Sequence, residues 1–269
     1  MKKSVVIYTY FSSPSSDYNL NFFVKKELVY RTNIDYIIVI NGHNFNKNII
    51  FPTLENFTLL KRDNVGYDFG GHHCALEHLK RCFKMYDYYF FLNSGVIGPF
   101  IQPQLQDHWS SIFIKKINER VKLVGTTIVC LSRRDAGGYG PKVEGFFFMV
   151  DDIGLKVLEK QKTIFCNHKN KYSAIINGEY GLSNCMFKNG YTIDCMLPRY
   201  QNVDWTNPAN YNLNNNKHPS RKNSFYNSSI NPFDVIFHKW FWHRQENVNF
   251  DIVQKYVNET AFSGFFKKS

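Results

Sequence analysis

The sequence predicts an α/β fold: a mainly parallel sheet with helices on both faces. Three features of the first hundred residues favour it: short runs of apolar residues, helical or loop segments between them, and a polar or glycine residue soon after each run. Strands that alternate with helices form parallel sheets because each connection must cross back over one face of the sheet. With 269 residues and 43% hydrophobic residues, the chain is long enough for one such domain.

Each predicted element rests on its own pattern. Unbroken runs of β-branched and aromatic residues indicate buried strands, which we place at residues 5–10, 36–40, 57–60, 88–92, 121–129 and 146–150. Helices are predicted at residues 20–30, 73–85, 151–158 and 180–189. Residues 12–16, rich in Ser and Pro, are predicted to be a loop. Residues 202–231 are polar, Asn-rich and without periodicity, which predicts a long surface loop.

The candidate binding residues of the first, second and fourth strands lie at or just after the strand ends. In open α/β sheets, ligands bind beyond the carboxyl ends of the strands. Thr9 and Tyr10 end the first strand, Asn41 follows the second, and Asn93 and Ser94 follow the fourth. An amide can hydrogen-bond a base or a ribose, and a tyrosine ring can pack on a base. The structural alternative stays open, because an Asn-Gly pair such as the one at residues 41–42 is also an ordinary turn.

A glycine-rich loop at residues 64–71 follows the third strand. It brings backbone N–H groups and one carboxylate towards the same edge of the sheet. The loop residues predicted to bind the ligand are Asn64, Gly66, Tyr67, Asp68 and Gly71. The glycine spacing is neither that of a dinucleotide fingerprint nor that of a P-loop. As an alternative, the glycines only allow a helix and a strand to pack closely.

Several motifs resemble those of one enzyme family. They are Lys-Arg-Asp-Asn-Val-Gly-Tyr-Asp-Phe-Gly-Gly at residues 61–71, Tyr-Tyr-Phe-Phe-Leu-Asn-Ser-Gly at 88–95, Gly-Glu-Tyr-Gly-Leu-Ser at 178–183, and Pro-Phe-Asp-Val-Ile-Phe-His-Lys at 232–239. The sequence resembles glycosyltransferases of the GT-A fold, closest to the rhamnan-synthesis type and to related transferases of bacteria and large DNA viruses. The resemblance extends from about residue 5 to residue 240.

The resemblance implies an enzyme that moves a sugar, a hexose or deoxyhexose, from a nucleoside diphosphate to a glycan or protein acceptor. It implies a GT-A-like doubly wound mixed sheet, mainly parallel and flanked by helices. We expect a single domain over residues 1–269, with a nucleotide-binding half at 1–100 and an acceptor and catalytic half at 101–245. A tail helix is expected at 246–269.

The resemblance also implies roles for particular residues. Glu179 stands at the place of the acidic residue that acts as the base in inverting enzymes, and it precedes a predicted helix. His238 and Lys239 stand at the place of a group that contacts the diphosphate or a metal. Trp205 is a candidate for stacking on an acceptor sugar. The structural alternatives are a carboxylate that complements a helix start, a histidine packed in an aromatic cluster, and a core tryptophan.

The sequence departs from the family at the metal site. GT-A enzymes normally carry Asp-x-Asp after the fourth strand, and this chain has Asn93-Ser94-Gly95. Neutral ligands alone hold a divalent cation weakly. We therefore expect Mn²⁺ or Mg²⁺ to be bound loosely, either carried by the diphosphate or replaced by basic residues. The acidic pair Asp151-Asp152 is better explained as a helix N-cap.

Two other functions compete with the transferase. A net charge of +11 and 17% aromatic residues fit a nucleic-acid-binding module, but the basic residues occur as scattered pairs, so no nucleic-acid partner is expected. The missing Asp-x-Asp fits a catalytically inactive nucleotide- or sugar-binding domain. Because the sequence shows neither a signal-peptide pattern nor an apolar run of membrane-spanning length, we expect a cytoplasmic protein, in the host cytoplasm if it is viral.

Overall fold

A computed structural model describes residues 2–43, 45–102 and 107–241. Its main sheet has seven strands: β1 (Ser4–Tyr10), β2 (Ile34–Asn41), β3 (Phe57–Arg62), β4 (Tyr88–Asn93), β5 (Val121–Gly125), β8 (Phe147–Asp151) and β9 (Thr192–Cys195). Two short strands, β6 (Ile128–Val129) and β7 (Lys142–Val143), pair separately as a hairpin. The order in the sheet is β3-β2-β1-β4-β8-β5-β9, and only β8 runs antiparallel to its neighbours. The predicted mixed, mainly parallel sheet is confirmed.

Helices lie on both faces of the sheet. They are α1 (Pro14–Glu27), α2 (Tyr67–Arg81), α3 (Trp109–Ile114), α4 (Asp152–Lys160), α5 (Lys171–Ser173), α6 (Tyr180–Lys188) and α7 (Pro232–Val235). A π-helix, Ala174–Glu179, joins α5 to α6, and 3₁₀ turns occur at Pro198–Tyr200 and Pro208–Asn210. No helix within the described ranges is both long and apolar enough to cross a bilayer. The tail helix expected at 246–269 lies outside the described residues.

Alternate residues of the central strands fill two separate cores. On one face, Tyr8 of β1 packs against Phe23 of α1, with ring centroids 4.9 Å apart. On the other face, Ile7 belongs to the cluster that contains Leu76 and Leu79 of α2. This two-residue alternation follows from strand geometry. Each buried side chain of this size stabilises the fold by about 1.5–3 kcal/mol, so both faces of the sheet must stay covered.

Two helices begin earlier than the sequence predicts. The Ser/Pro segment is not a loop, because the Ser13 side chain accepts a hydrogen bond from the Ser16 N–H and Pro14 occupies the first turn of α1. Similarly, α2 starts at Tyr67, so the second half of the glycine-rich segment is helical. The predicted N-cap of α4 is confirmed, since Asp151 accepts a hydrogen bond from the Gly154 N–H at 2.8 Å.

Three further differences concern the second half. The strand predicted at 121–129 is divided into β5 and β6, while α3, β7 and β9 were not predicted. Residues 202–231 have little regular structure, as expected. They are not merely a surface loop, however, because Trp205, Phe225 and Ile230 are buried in the core.

Candidate functional site

A cleft of about 1060 Å³ lies at the edge of the sheet where β1 and β4 end. Its walls include the start of α1, the first turn of α2, the end of β4, the β7 strand with the turn that precedes it, the π-helix, and part of residues 202–231. Four carboxylates line it: Asp68, Asp135, Glu144 and Glu179. The cations that line it include Lys142, Arg221 and Lys239. The cleft thus presents both signs of charge to a ligand.

Asn93 joins the end of β4 to the first turn of α2. Its side-chain N–H donates to Asp68 Oδ2 at 2.6 Å, and its Oδ1 accepts from the Gly95 N–H at 2.8 Å. Burial raises the pKa of Asp68, and the Asn93 hydrogen bond and the charge of Lys239 oppose that shift. Asp68 is therefore a fixed hydrogen-bond acceptor at this end of the cleft.

Lys142 is the buried centre of an ionic cluster. Its Nζ lies 2.7 Å from Glu179 Oε2 and 3.7 Å from both Asp135 Oδ2 and Glu144 Oε1. Burial acts to lower the pKa of Lys142, but the charges of Glu144 and Glu179 outweigh it and raise that pKa above its usual value. The ammonium therefore stays charged and fixes the carboxylates around it.

His218 closes the cluster from the other side. Its Nε2 lies 3.5 Å from Asp135 Oδ2 and its Nδ1 lies 3.7 Å from Glu144 Oε1. The hydrogen bond with His218 lowers the pKa of Asp135 to about 2. Burial lowers the pKa of His218, but Asp135 and Glu144 raise it by more. Residues 202–231 thus contribute a charged group to the cleft.

The hairpin of β6 and β7 places Asp135 in the cluster. Asp135 and Gly138 exchange two backbone hydrogen bonds of 2.9 Å around a tight turn. Both central residues, Ala136 and Gly137, have left-handed backbone angles, with φ of 48° and 89°. An alanine in this conformation is strained, which is common at functional sites. The turn holds the Asp135 carboxylate against Lys142.

Five of the residues predicted from the sequence line the cleft: Tyr67, Asp68, Asn93, Glu179 and Lys239. The sequence did not predict Asp135, Lys142, Glu144, His218 or Arg221. The one local signal for them is the Lys-Val-Glu triplet at 142–144, whose two charged residues stand in an otherwise apolar context. Their meeting depends on long-range packing.

Thr9 and Tyr10 were wrongly predicted to contact the ligand. The Thr9 hydroxyl faces His72 Nδ1 at 3.0 Å, beneath the cleft. Tyr10 is completely buried and its hydroxyl donates to Asp17 at 2.5 Å, so its ring offers no face to a base. Both side chains belong to a strand with both faces covered. The first exposed aromatic ring after β1 is that of Phe11, which lines the cleft.

Asn41, Asn64 and Ser94 do not line the cleft either. The Asn41 oxygen accepts a hydrogen bond from Arg62, and Ser94 is buried with its hydroxyl near the Phe11 N–H. Asn64 is exposed. Asn41 and Ser94 thus make contacts within the protein at the strand ends. A smaller hollow of about 550 Å³ lies beside them, at the ends of β2 and β3.

Gly66 and Gly71 serve close packing. A Cβ on Gly66, whose φ is 80°, would lie 2.4 Å from the Asn167 Cα. A Cβ on Gly71 would lie 2.4 Å from Thr9 Cγ2. Both positions therefore require glycine for reasons of packing, and neither residue lines the cleft.

Three expectations for the second half are also corrected. Trp205 is fully buried and packs edge-on against Tyr200, so it cannot stack on an acceptor sugar. Glu179 does not start a helix, because the helical run extends from Lys171 through the π-helix into α6. Its carboxylate is oriented by Lys142 and not by a helix N-terminus. His238 is buried and does not line the cleft.

The buried His238 should make the stability of the protein depend on pH. Neither ring nitrogen makes a well-formed hydrogen bond to the described residues, and burial lowers the pKa of His238 to about 4. Because the unfolded pKa is about 6.5, protonation favours unfolding as the pH falls from about 6.5 towards 4. We expect His238→Phe to gain about 1.4 kcal/mol over the wild type for each pH unit in that window, as measured by urea unfolding.

Nucleotide affinity is the second measurement on His238→Phe. The variant should bind nucleoside diphosphates as the wild type does, since His238 lies outside the cleft lining. A stability difference that does not change with pH, or a loss of nucleotide binding, would contradict this account.

The residues that the structure describes do not form a metal centre. Across the described ranges, no group of three or more His, Cys, Asp or Glu side chains is arranged to hold a metal ion. At the expected metal position, the end of β4, the side chains are those of Asn93 and Ser94, followed by a glycine. The donor set does not fit a tightly held Mn²⁺ or Mg²⁺.

Comparisons with known proteins returned structural similarities only. No family model and no curated protein sequence matches the chain. Among solved structures, the chain is similar to the mannosyltransferase PcManGT of Pyrobaculum calidifontis in complex with GDP-Man and Mn²⁺, at 12% identity and a TM-score of 0.46. It is also similar to two structures of the glycosyltransferase GlyE of Streptococcus pneumoniae, at 11% and 10% identity and TM-scores of 0.31 and 0.34.

These solved structures are longer than this chain. The match covers 78% of this chain and 59% of the mannosyltransferase. For GlyE it covers 72% of this chain and 45% of that protein.

Proposed function

We propose that this protein is a glycosyltransferase that moves a sugar from a nucleoside diphosphate to an acceptor hydroxyl. One observation carries the proposal: the cleft at the carboxyl edge of the sheet combines fixed cations with carboxylates. Sugar transfer needs both, because the leaving diphosphate must be neutralised and the acceptor must lose a proton. The sequence motifs that resemble GT-A enzymes line part of this cleft, at Asp68, Asn93 and Glu179.

Two aromatic rings at the cleft mouth are suited to the nucleoside. Phe11 is 51% exposed and Tyr67 is 43% exposed, and both line the cleft beside the end of β1. An exposed aromatic face can stack on a base. Asp68 lies next to Tyr67 and can accept a hydrogen bond from a ribose hydroxyl.

The reaction itself follows from the charges. In the proposed step, the acceptor oxygen forms a bond to the anomeric carbon, and the bond from that carbon to the diphosphate oxygen breaks. Glu179 takes the proton of the acceptor hydroxyl, and the cations of the cleft neutralise the diphosphate. The Glu179 side chain is 25% exposed and hydrogen-bonded by Lys142, which leaves it accessible and oriented.

We further propose that the transferred sugar is a hexose or deoxyhexose. The acceptor is a glycan or glycoprotein, and the reaction serves polysaccharide biosynthesis or glycosylation in a bacterial cytoplasm or a virus-infected host. These assignments follow from the sequence resemblance.

Thermal unfolding with a panel of ligands tests the function. Nucleoside diphosphates and their sugar conjugates should raise the Tm by mass action, and the conjugate that binds should release its nucleotide in the presence of acceptor sugars. A rise with an oligonucleotide alone would favour a nucleic-acid-binding module. Binding without nucleotide release, over a broad acceptor panel, would favour an inactive binding domain.

Asp68→Ala tests the donor end of the cleft. A hydrogen bond to a charged group contributes about 1.5–3 kcal/mol, so we expect nucleoside diphosphate binding to weaken by about ten-fold or more in calorimetry. Asp152→Ala, which removes a half-exposed carboxylate of α4 outside the cleft, is the control. Unchanged affinity in a folded Asp68→Ala protein would remove Asp68 from the nucleotide site.

A further inference from the structure

The turn after β4, Asn93-Ser94-Gly95, carries no carboxylate of its own. Asn93 already uses its amide, with the N–H on Asp68 and the oxygen on the Gly95 N–H. Ser94 is buried, and its hydroxyl lies 3.4 Å from the Phe11 N–H. Gly95 has no side chain. The turn that carries an Asp-x-Asp in the enzymes this sequence resembles therefore offers no carboxylate.

A lysine ammonium is placed at this turn. A Cβ built on Gly95 would lie 3.0 Å from Lys239 Nζ, so the ammonium lies against the space that a side chain at position 95 would enter. The same nitrogen lies 5.4 Å from the centroid of the Phe146 ring, within range of a cation–π contact. Lys239 also acts electrostatically on Asp68 and Glu144, which places its charge inside the cleft.

We propose that Lys239 replaces the divalent metal of the GT-A enzymes as the cation that binds the donor diphosphate. Where those enzymes have the second carboxylate of the Asp-x-Asp, this chain has a glycine with an ammonium beside it. An Asp at position 95 would both crowd the ammonium and bind it as an ion pair, which would leave it less able to bind a phosphate. The identity of the ligand rests on the proposed function.

Additional positive charge lies in the same cleft. Arg221 lines it, and the guanidinium group can bind phosphate oxygens in a bidentate manner. Lys142 is buried among three carboxylates, which largely neutralise its positive charge. Lys239 is therefore the cation at the end of β4, and Arg221 is suited to contact the remaining phosphate oxygens.

Calorimetry on chelator-treated protein tests the inference, with nucleoside diphosphates and inorganic pyrophosphate as the probes. The wild type should bind with a Kd that changes less than about three-fold when Mn²⁺ is added. Lys239→Gln should weaken binding by about ten-fold or more, as expected for the loss of a charge-assisted hydrogen bond. Lys239→Arg should retain most of the affinity. Lys188→Gln, which removes an exposed lysine from the last turn of α6, should change nothing.

A double variant tests the reverse change. Gly95→Asp combined with Lys239→Gln restores a carboxylate at the turn and removes the ammonium, so binding should become stronger on addition of Mn²⁺. Thermal unfolding of each variant separates a local effect from a loss of fold.

The outcomes separate the two proposals. Binding that is lost after chelation, regained with Mn²⁺ and insensitive to Lys239→Gln would overturn the role of Lys239. Pyrophosphate binding that depends on Lys239, without any nucleotide binding, would support the cation site and contradict the proposed transferase. If neither probe binds, both proposals are wrong.

Discussion

Glu179→Gln should transfer sugar about 10²–10⁴-fold more slowly than the wild type, because an amide cannot take the proton of the acceptor hydroxyl. The fold should persist, since the Gln oxygen can still accept the hydrogen bond that Lys142 gives to Glu179 at 2.7 Å. Donor binding should also persist, because Glu179 acts on the acceptor. The measurement is a single-turnover rate together with the Kd of the nucleoside diphosphate.

A matched control is available for this variant. Glu119→Gln removes the same charge from an exposed residue between α3 and β5 and should leave the rate unchanged. If Glu179→Gln turned over at a near-normal rate, the carboxylate would not be the base. Asp135, which also lines the cleft beside Lys142, would then become the candidate.

The first half of the fold was predictable because its signals are local. β1, β2, β3 and β4 are continuous apolar or β-branched runs, and a parallel order places their ends along one edge of the sheet. Side-chain direction at those ends was not predictable. Tyr10 points into a core, whereas the next residue, Phe11, reaches the cleft. Which of two adjacent side chains reaches a ligand depends on which faces of the strand other elements cover.

The Asn-rich segment carries a local signal for its own structure. Six asparagines between residues 202 and 227 have positive φ, at positions 202, 212, 215, 216, 223 and 227. Asparagine tolerates the left-handed region better than other non-glycine residues. The high frequency of asparagine therefore indicates an ordered series of tight turns. These turns place His218 and Arg221 at the cleft.

The ionic cluster could not be predicted for a different reason. Asp135, Lys142 and Glu144 come from a hairpin with two-residue strands, Glu179 from the end of a π-helix, and His218 from irregular chain. None of these segments is long enough to show the periodic pattern of apolar residues by which a helix or strand is recognised. Only tertiary packing brings the charges together. The resemblance to GT-A enzymes indicated Glu179 alone among them.

The cluster makes Lys142 the residue whose loss should destabilise the protein most. Lys142→Met should reduce the free energy of unfolding by about 3–5 kcal/mol, because the buried Glu144 and the partly exposed Glu179 would lose their counter-charge. For a domain of this size, that loss corresponds to a decrease in Tm of about 6–20 °C. Urea and thermal unfolding at pH 7 measure it.

The pH dependence distinguishes this mechanism from simple loss of packing. In the wild type, the folded pKa of Asp135 is about 2, below its unfolded value near 3.9, so its contribution to stability is present above pH 4 and lost as the pH falls through 2. Without Lys142, the carboxylates repel one another and their folded pKa values rise. Protonation then relieves the repulsion, and the difference between Lys142→Met and the wild type should shrink from pH 7 to pH 4.

Lys115→Met is the matched control, because Lys115 pairs with Asp107 at 3.0 Å and both side chains are more than half exposed. Exposed pairs contribute about 0–1 kcal/mol, so this variant should lose little stability at any pH. The double variant Lys142→Met with Glu179→Gln should recover part of the stability, since it removes one of the uncompensated charges. If Lys142→Met behaved like Lys115→Met, the cluster would not be the ionic centre of the cleft, and Glu179 would need another group to orient it.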